Sequence, residues 1–220
     1  MDLMDIYNRL LSHFGPQNWW PAETPYEVVV GAILTQNTSW RNVERAIENL
    51  RRNNLLEERR ILDTPLKRLR ELIRPAGFYN IKSKRLKDVT AYIVDNYGST
   101  EGLKRCNKDL YRLREELLSI KGVGRETADT ILLYSLERPI FVVDNYTRRI
   151  FSRYGVIEGD LDYDSIRTFF EGSIPRDLEI YKEYHALIVQ LGKTFCKKRS
   201  PRCEGCPLFK GCKRLISPEG

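Results

Sequence analysis

The stretch SIKGVGRETADTILLYSL (residues 119–136) sets two glycines around one valine and begins a new apolar-periodic run immediately afterwards. Glycine tolerates positive φ and lets backbone come close to a partner. Gly122–Gly124 therefore reads as a tight turn between two helices, REELLSIKG before it and RETADTILLYSL after it. The first amides of a helix have no partner within it, and with the helix dipole they suit a phosphate oxygen. Lys121 and Arg125 add positive charge beside that turn, and Val123 faces inward to lock it. Glu126 falls on the first turn of the second helix, where a carboxylate complements the dipole. It is nonetheless an odd residue to place against a polyanion.

Outward from this turn, helical spacing recurs. TSWRNVERAIENLRR puts Val43, Ile47 and Leu50 on one face, with Thr38 or Ser39 placed to cap its start. KDVTAYIVDNYG repeats the pattern through Val89 and Ile93 and stops at Gly98. LDYDSIRTFFEG and KEYHALIVQLG are two more, the second with Gly192 as its C-cap. The Val/Ile runs are short, and none is joined to another through an Asn-Gly or Asp-Gly turn. The expectation is an all-α protein of about nine to eleven helices.

The 220 residues are 41% hydrophobic and 30% charged, a globular composition, and the net charge of +7 favours a polyanionic partner. The N-terminal MDLMDIYNRLLSHF lacks the cationic region of a secretory signal. The apolar run VVVGAIL (28–34) falls far short of the roughly 20 residues needed to cross a bilayer. A cytoplasmic, nucleoid-associated monomer with no membrane partner is expected. In a reducing compartment, clustered cysteines serve metals more often than disulfides.

Four of the five cysteines fall in KTFCKKRSPRCEGCPLFKGCKR, a basic segment too short for a core of its own. Cys196, Cys203, Cys206 and Cys212 are separated by six, two and five residues. A zinc ribbon supplies two close pairs, whereas here one pair has two outlying partners. Four thiolates on uneven loops can instead wrap a cubane iron–sulfur cluster. Cys106 stands alone and reads as a thiol without chemistry.

The cysteine spacing, together with LLSIKGVGRETA, resembles the cluster loop and helix–hairpin–helix of the endonuclease III superfamily of DNA glycosylases. That resemblance implies a 4Fe–4S cluster on the four cysteines. It also implies a loop that presents Lys197, Lys198, Arg199 and Arg202 to DNA, and hairpin contacts from Lys121, Gly122, Val123, Gly124 and Arg125. Asp144, ending the apolar run of RPIFVVDNYTRRIF, matches the family's catalytic carboxylate. From the residues alone it is equally placed to cap the helix that follows. Bifunctional members carry lysine where this chain has Glu126, and a carboxylate cannot form the Schiff base that strand cleavage requires.

NWWPAETPYEVVVGAILTQNTSW and IRPAGFYNIKSKRL are similar to the 3-methyladenine branch of that superfamily, over about residues 19–150. The resemblance implies a base pocket built from Trp40, Trp19, Trp20 and Glu126, with aromatic faces attracting a cationic base by about 0.5–2 kcal/mol each. It implies that Gln36 fills the vacated stack and that Asn80 or Ile81 faces the opposite strand. His185, beside Tyr184 on a helix, reads as a structural histidine.

The expected architecture is two helical lobes with the active cleft between them. Residues 24–135 would form a six-helix bundle carrying the hairpin, and 1–23 with 136–220 the cluster lobe. The expected activity is hydrolysis of the glycosidic bond of alkylated purines, 3-methyladenine foremost and 7-methylguanine next, in double-stranded DNA containing damaged bases. Catalysis falls to Asp144 and Glu126. Three alternatives stay open: a bifunctional pyrimidine-damage enzyme, a mismatch glycosylase, and a non-catalytic DNA-binding iron–sulfur module.

Overall fold

A computed structural model describes residues 2–215. Among them there are twelve α-helices and no β-strand. The chain divides into two compact units, Trp20–Arg138 and Met1–Trp19 with Pro139–Gly220.

The continuous unit is organised around α2 (Pro25–Leu34), in which every residue from Tyr26 to Leu34 is buried. A helix apolar on all sides belongs in a core, so the valine run that resembles a strand is helical here. Thr24 caps it through Glu27 N–H, with Pro25 at the first helical position. Around it lie α3 (Trp40–Arg52), α4 (Glu58–Asp63), α5 (Leu66–Leu72), a 3-10 turn (Arg74–Ala76), α6 (Tyr79–Tyr97) and α7 (Thr100–Arg105). Four helices of this unit have only six or seven residues, too few to register as a repeating apolar face. This is why periodicity counts fewer elements.

The hairpin joins α8 (Leu110–Ser119) to α9 (Arg125–Thr130), which continues as a π-helical stretch (Ile131–Ser135). Arg114 on α8 grips Asp129 on α9 with two parallel bonds, 2.6 Å from Nε to Oδ1 and 3.1 Å from Nη2 to Oδ2. Both residues are buried, and bidentate pairing of this kind fixes orientation as well as distance.

The second unit holds α1 (Leu3–Phe14), α10 (Asn145–Tyr154), α11 (Tyr163–Ser173), α12 (Leu178–Thr194) and the cysteine segment. Its core is aromatic. Phe141 stacks on Phe170 at 4.3 Å between centroids, and Phe151 and Tyr184 meet Phe170 edge-on. The buried Tyr184 hydroxyl donates to Leu3 O across 2.8 Å, which ties α12 to α1. Gly192 is not the expected C-cap: α12 runs on to Thr194. A Cβ there would stand 2.1 Å from Tyr146 Cδ1, so this glycine seats the Tyr146 ring against the helix.

Candidate active site and nucleic-acid interface

In the hairpin, Gly122 takes φ +90° and Val123 N–H bonds Ile120 O at 3.0 Å, closing the turn. Val123 is buried while Lys121, Gly124, Arg125 and Glu126 are exposed. Gly124 opens α9, no side chain caps it, and no atom lies within 4 Å of the place a Cβ would take. The backbone is therefore accessible where a helix N-terminus favours an anion.

Gln36 is bound to this hairpin. Its amide donates to Gly122 O and Thr127 Oγ1, both at 3.0 Å, and its carbonyl accepts from Arg85 Nη1 at 2.6 Å. Asn80 and Ile81 are exposed on the first turn of α6. The residue before that helix, Phe78, escaped the sequence reading. Its side chain is 65% exposed and its φ is +44°, a left-handed conformation that bulky residues rarely adopt. Its one mark in the sequence is a large apolar residue directly after Gly77.

Trp20 meets Trp40 edge-on at 4.9 Å and Tyr134 at 5.4 Å, and it lies against Gly31, whose added Cβ would be 2.9 Å from the indole. Trp19 belongs to the other unit. There the Lys193 ammonium sits 5.0 Å from the centre of its ring, and the His185 ring lies 6.3 Å away.

Asp144 caps α10. Its Oδ1 accepts from Thr147 N–H at 2.7 Å and from the Thr147 hydroxyl at 2.9 Å. Its Oδ2 faces His185 Nε2 at 3.6 Å, an ion-pair separation just beyond a hydrogen bond. The carboxylate is 12% exposed. Burial pushes its pKa up, but attraction to His185 and the two Thr147 donors outweigh that and hold it below the usual carboxylate value. A carboxylate kept charged in a nearly dry place favours a positive charge developing beside it. His185 thus faces a carboxylate that lies on another helix, a partner the sequence does not mark.

The four cysteines line one cavity, walled by Phe195 and Phe209 with Arg153 at its side. Arg153 Nη1 lies 3.7 Å from Cys196 Sγ, and its guanidinium also donates to Lys197 O and Lys198 O. Arg149 Nε donates to Cys196 O at 2.9 Å. Burial pushes the Cys206 thiol up to about 11 and raises Cys212 as well. Among the described residues no three His, Cys, Asp or Glu side chains are grouped tightly enough to hold a single metal ion. Lys198 and Arg199 are exposed, and Lys197 is half-buried.

These features define an exposed glycine hairpin in one unit and a charged, capped carboxylate in the other. Residues 30–176 match the HhH-GPD superfamily of base excision DNA repair proteins, and the chain belongs to that family. It is a base-excision DNA glycosylase. A Methanocaldococcus jannaschii protein named as a DNA repair glycosylase is 62% identical over 94% of each chain. The Helicobacter pylori 3-methyladenine DNA glycosylase, crystallised with 1,N6-ethenoadenine, is 32% identical. That alignment spans 88% of this chain and 98% of the other, with a TM-score of 0.76. A complex of endonuclease III with DNA shares the fold at a TM-score of 0.82 and 22% identity, covering 96% and 94% of the two chains. Among the described residues no helix is long and apolar enough to cross a membrane.

Proposed function

We propose that this glycosylase is monofunctional and removes alkylated purines, 3-methyladenine foremost, leaving an abasic site. The observation that carries the reading is Glu126, an exposed carboxylate on the first turn of α9 directly behind the hairpin. A carboxylate there supplies no amine for a Schiff base, and it favours a base that carries positive charge. The 32% likeness to a 3-methyladenine glycosylase supports the same specificity.

An alkylated purine leaves as a neutral base, so the labour falls on the sugar. In this reading Asp144 keeps its charge through Thr147 and His185 and stabilises the oxocarbenium-like sugar or directs water to it. Hairpin amides from Gly122 to Arg125 hold a phosphate, with Lys121 and Arg125 beside it. Gln36 exchanges its hairpin bonds for the vacated stack, and Phe78, with Asn80 and Ile81, enters the opposite strand. The extruded base stacks on Trp40 or Trp20. The Lys193 ammonium already covers the ring of Trp19, so Trp40 and Trp20 are the preferred stacking faces.

The four cysteines line one cavity walled by Phe195 and Phe209, and their uneven spacing supports a 4Fe–4S cluster over a zinc ribbon. Bound there, the cluster would cross-link a segment too short for its own core and hold the Lys197–Arg199 backbone toward DNA. No step of base removal runs through it.

The test is incubation with methylated duplex DNA, chromatography of the released bases and borohydride trapping. Release of methylated purine with no trapped adduct, and with strand breaks only after alkali, is expected. A trapped protein–DNA adduct overturns the monofunctional reading. Release of thymine glycol or of adenine opposite 8-oxoguanine in place of methylated purine overturns the specificity.

A further inference from the structure

Lys82 is the most deeply buried cation among the described residues, with 1% of its surface exposed. It projects from the start of α6, the end of a helix least favourable to positive charge. Its ammonium donates to Leu34 O at 2.8 Å and to Ala76 O at 2.7 Å. Leu34 is the last residue of α2 and Ala76 the last of the 3-10 turn, so one cation closes the C-terminal ends of two helical segments. Burial and the neighbouring Arg85 lower its pKa to about 8, a measure of how unfavourable the position is for a charge. Core packing alone gives no reason to put an ammonium there.

What the two segments lead into gives the reason. Two residues beyond Leu34 stands Gln36, and two residues beyond Ala76 stands Phe78, exposed and left-handed. We propose that Lys82 is a positioning residue for base extrusion: its ammonium fixes the spacing between Gln36 and Phe78, the side chains that enter the duplex from its two strands. This rests on the reading above that these two residues enter DNA. Without the clamp, Leu34 O and Ala76 O lose their shared donor, and the Gly77–Phe78 conformation loses the anchor beside it. The lesion must then be extruded without a wedge and a filler held at matched separation.

The experiment compares wild type, Lys82→Met, Lys82→Gln, Phe78→Ala and the double variant Lys82→Met/Phe78→Ala. The first probe is a duplex with 2-aminopurine opposite a tetrahydrofuran abasic analogue, read for affinity by anisotropy and for unstacking by 2-aminopurine fluorescence. Lys82→Met is expected to bind within about threefold of wild type but to lose most of the fluorescence rise, with Lys82→Gln between them. Phe78→Ala sits on the surface and folds regardless. The double variant should lose little more than either single one, because both act through one wedge. The second probe is single-turnover release of 3-methyladenine from paired duplex and from the same lesion in an unpaired bulge. A loss of about tenfold on the paired substrate with near-normal release from the bulge is expected. Equal losses on both substrates, an unchanged fluorescence rise or additive effects with Phe78→Ala overturn the proposal. If wild type releases no methylated purine, the specificity assigned above fails, and the fluorescence arm still decides the role of Lys82.

Discussion

Replacing Asp144 by asparagine and by alanine separates its two duties. As an N-cap, Asp144 needs only Oδ1, which takes the Thr147 N–H and hydroxyl. Asparagine keeps a carbonyl oxygen in that place and ranks with aspartate as a cap, whereas alanine forfeits about 1 kcal/mol, up to about 2. For a chain of this length each 1 kcal/mol moves the melting temperature by roughly 2–4 °C. Asp144→Ala should therefore melt about 2–8 °C lower and Asp144→Asn within about 2 °C of wild type. Activity should divide differently. Both variants lose the negative charge, and removing one such electrostatic contribution costs about 10²–10³ in rate. Base release from methylated DNA, measured under single turnover beside calorimetric melting, checks both halves. Acid titration gives a further sign. The folded pKa of Asp144 lies below its ordinary value, so its ionisation stabilises the fold fully above about pH 4 and that share is lost as pH falls through the lowered value. Asp144→Asn should lack this share of the acid dependence. If Asp144→Asn retains base release within about tenfold of wild type, the charge is not what catalysis uses and the residue is only a cap.

Other outcomes follow from equally local facts. Asp129→Ala takes two bonds from the buried Arg114 guanidinium and should destabilise the protein by about 3–5 kcal/mol in denaturant unfolding, while Arg114→Met/Asp129→Leu together should recover most of that loss. Gly192→Ala drives a methyl group into the Tyr146 ring. It should cost about 1–3 kcal/mol and slow base release as well, since Tyr146 lies two residues from Asp144. Arg153→Met removes the donor to Lys197 O and Lys198 O. On the proposed cluster, protein purified with this change should hold less iron per chain by colorimetric assay and show weaker visible absorption than wild type.

The helices were legible wherever an apolar face repeats. Val43, Ile47 and Leu50 are all buried on α3, and Gly98 ends α6 in a positive-φ conformation. The hairpin was legible only beside the cysteine spacing, because any helix–turn–helix pair can contain a Gly-x-Gly. Gly192 shows where such reasoning stops. A glycine near the end of an apolar run is a fair C-cap by local rules, yet the ring it accommodates comes from Tyr146, far away in sequence.

The candidate site repeats that lesson in chemical terms. Cysteines announce themselves by spacing, and Asp144 by following an apolar run just ahead of a helix. Their supports carry no such mark. His185 faces Asp144 from α12, Arg153 approaches Cys196 from α10, and Lys82 reaches the ends of two segments that come before it in the chain. Each is a charged or titratable group with at least one partner distant in sequence, and each looks ordinary until the fold brings that partner up. Arg149 and Arg153 follow Asp144 on the one helix it caps, and both bond the backbone of the cysteine segment. The helix that presents the carboxylate is thus also the helix that secures the cysteine segment. A change that loosens the segment is therefore expected to reach Asp144 through α10 itself, and the iron content and base-release rate of Arg153→Met should fall together.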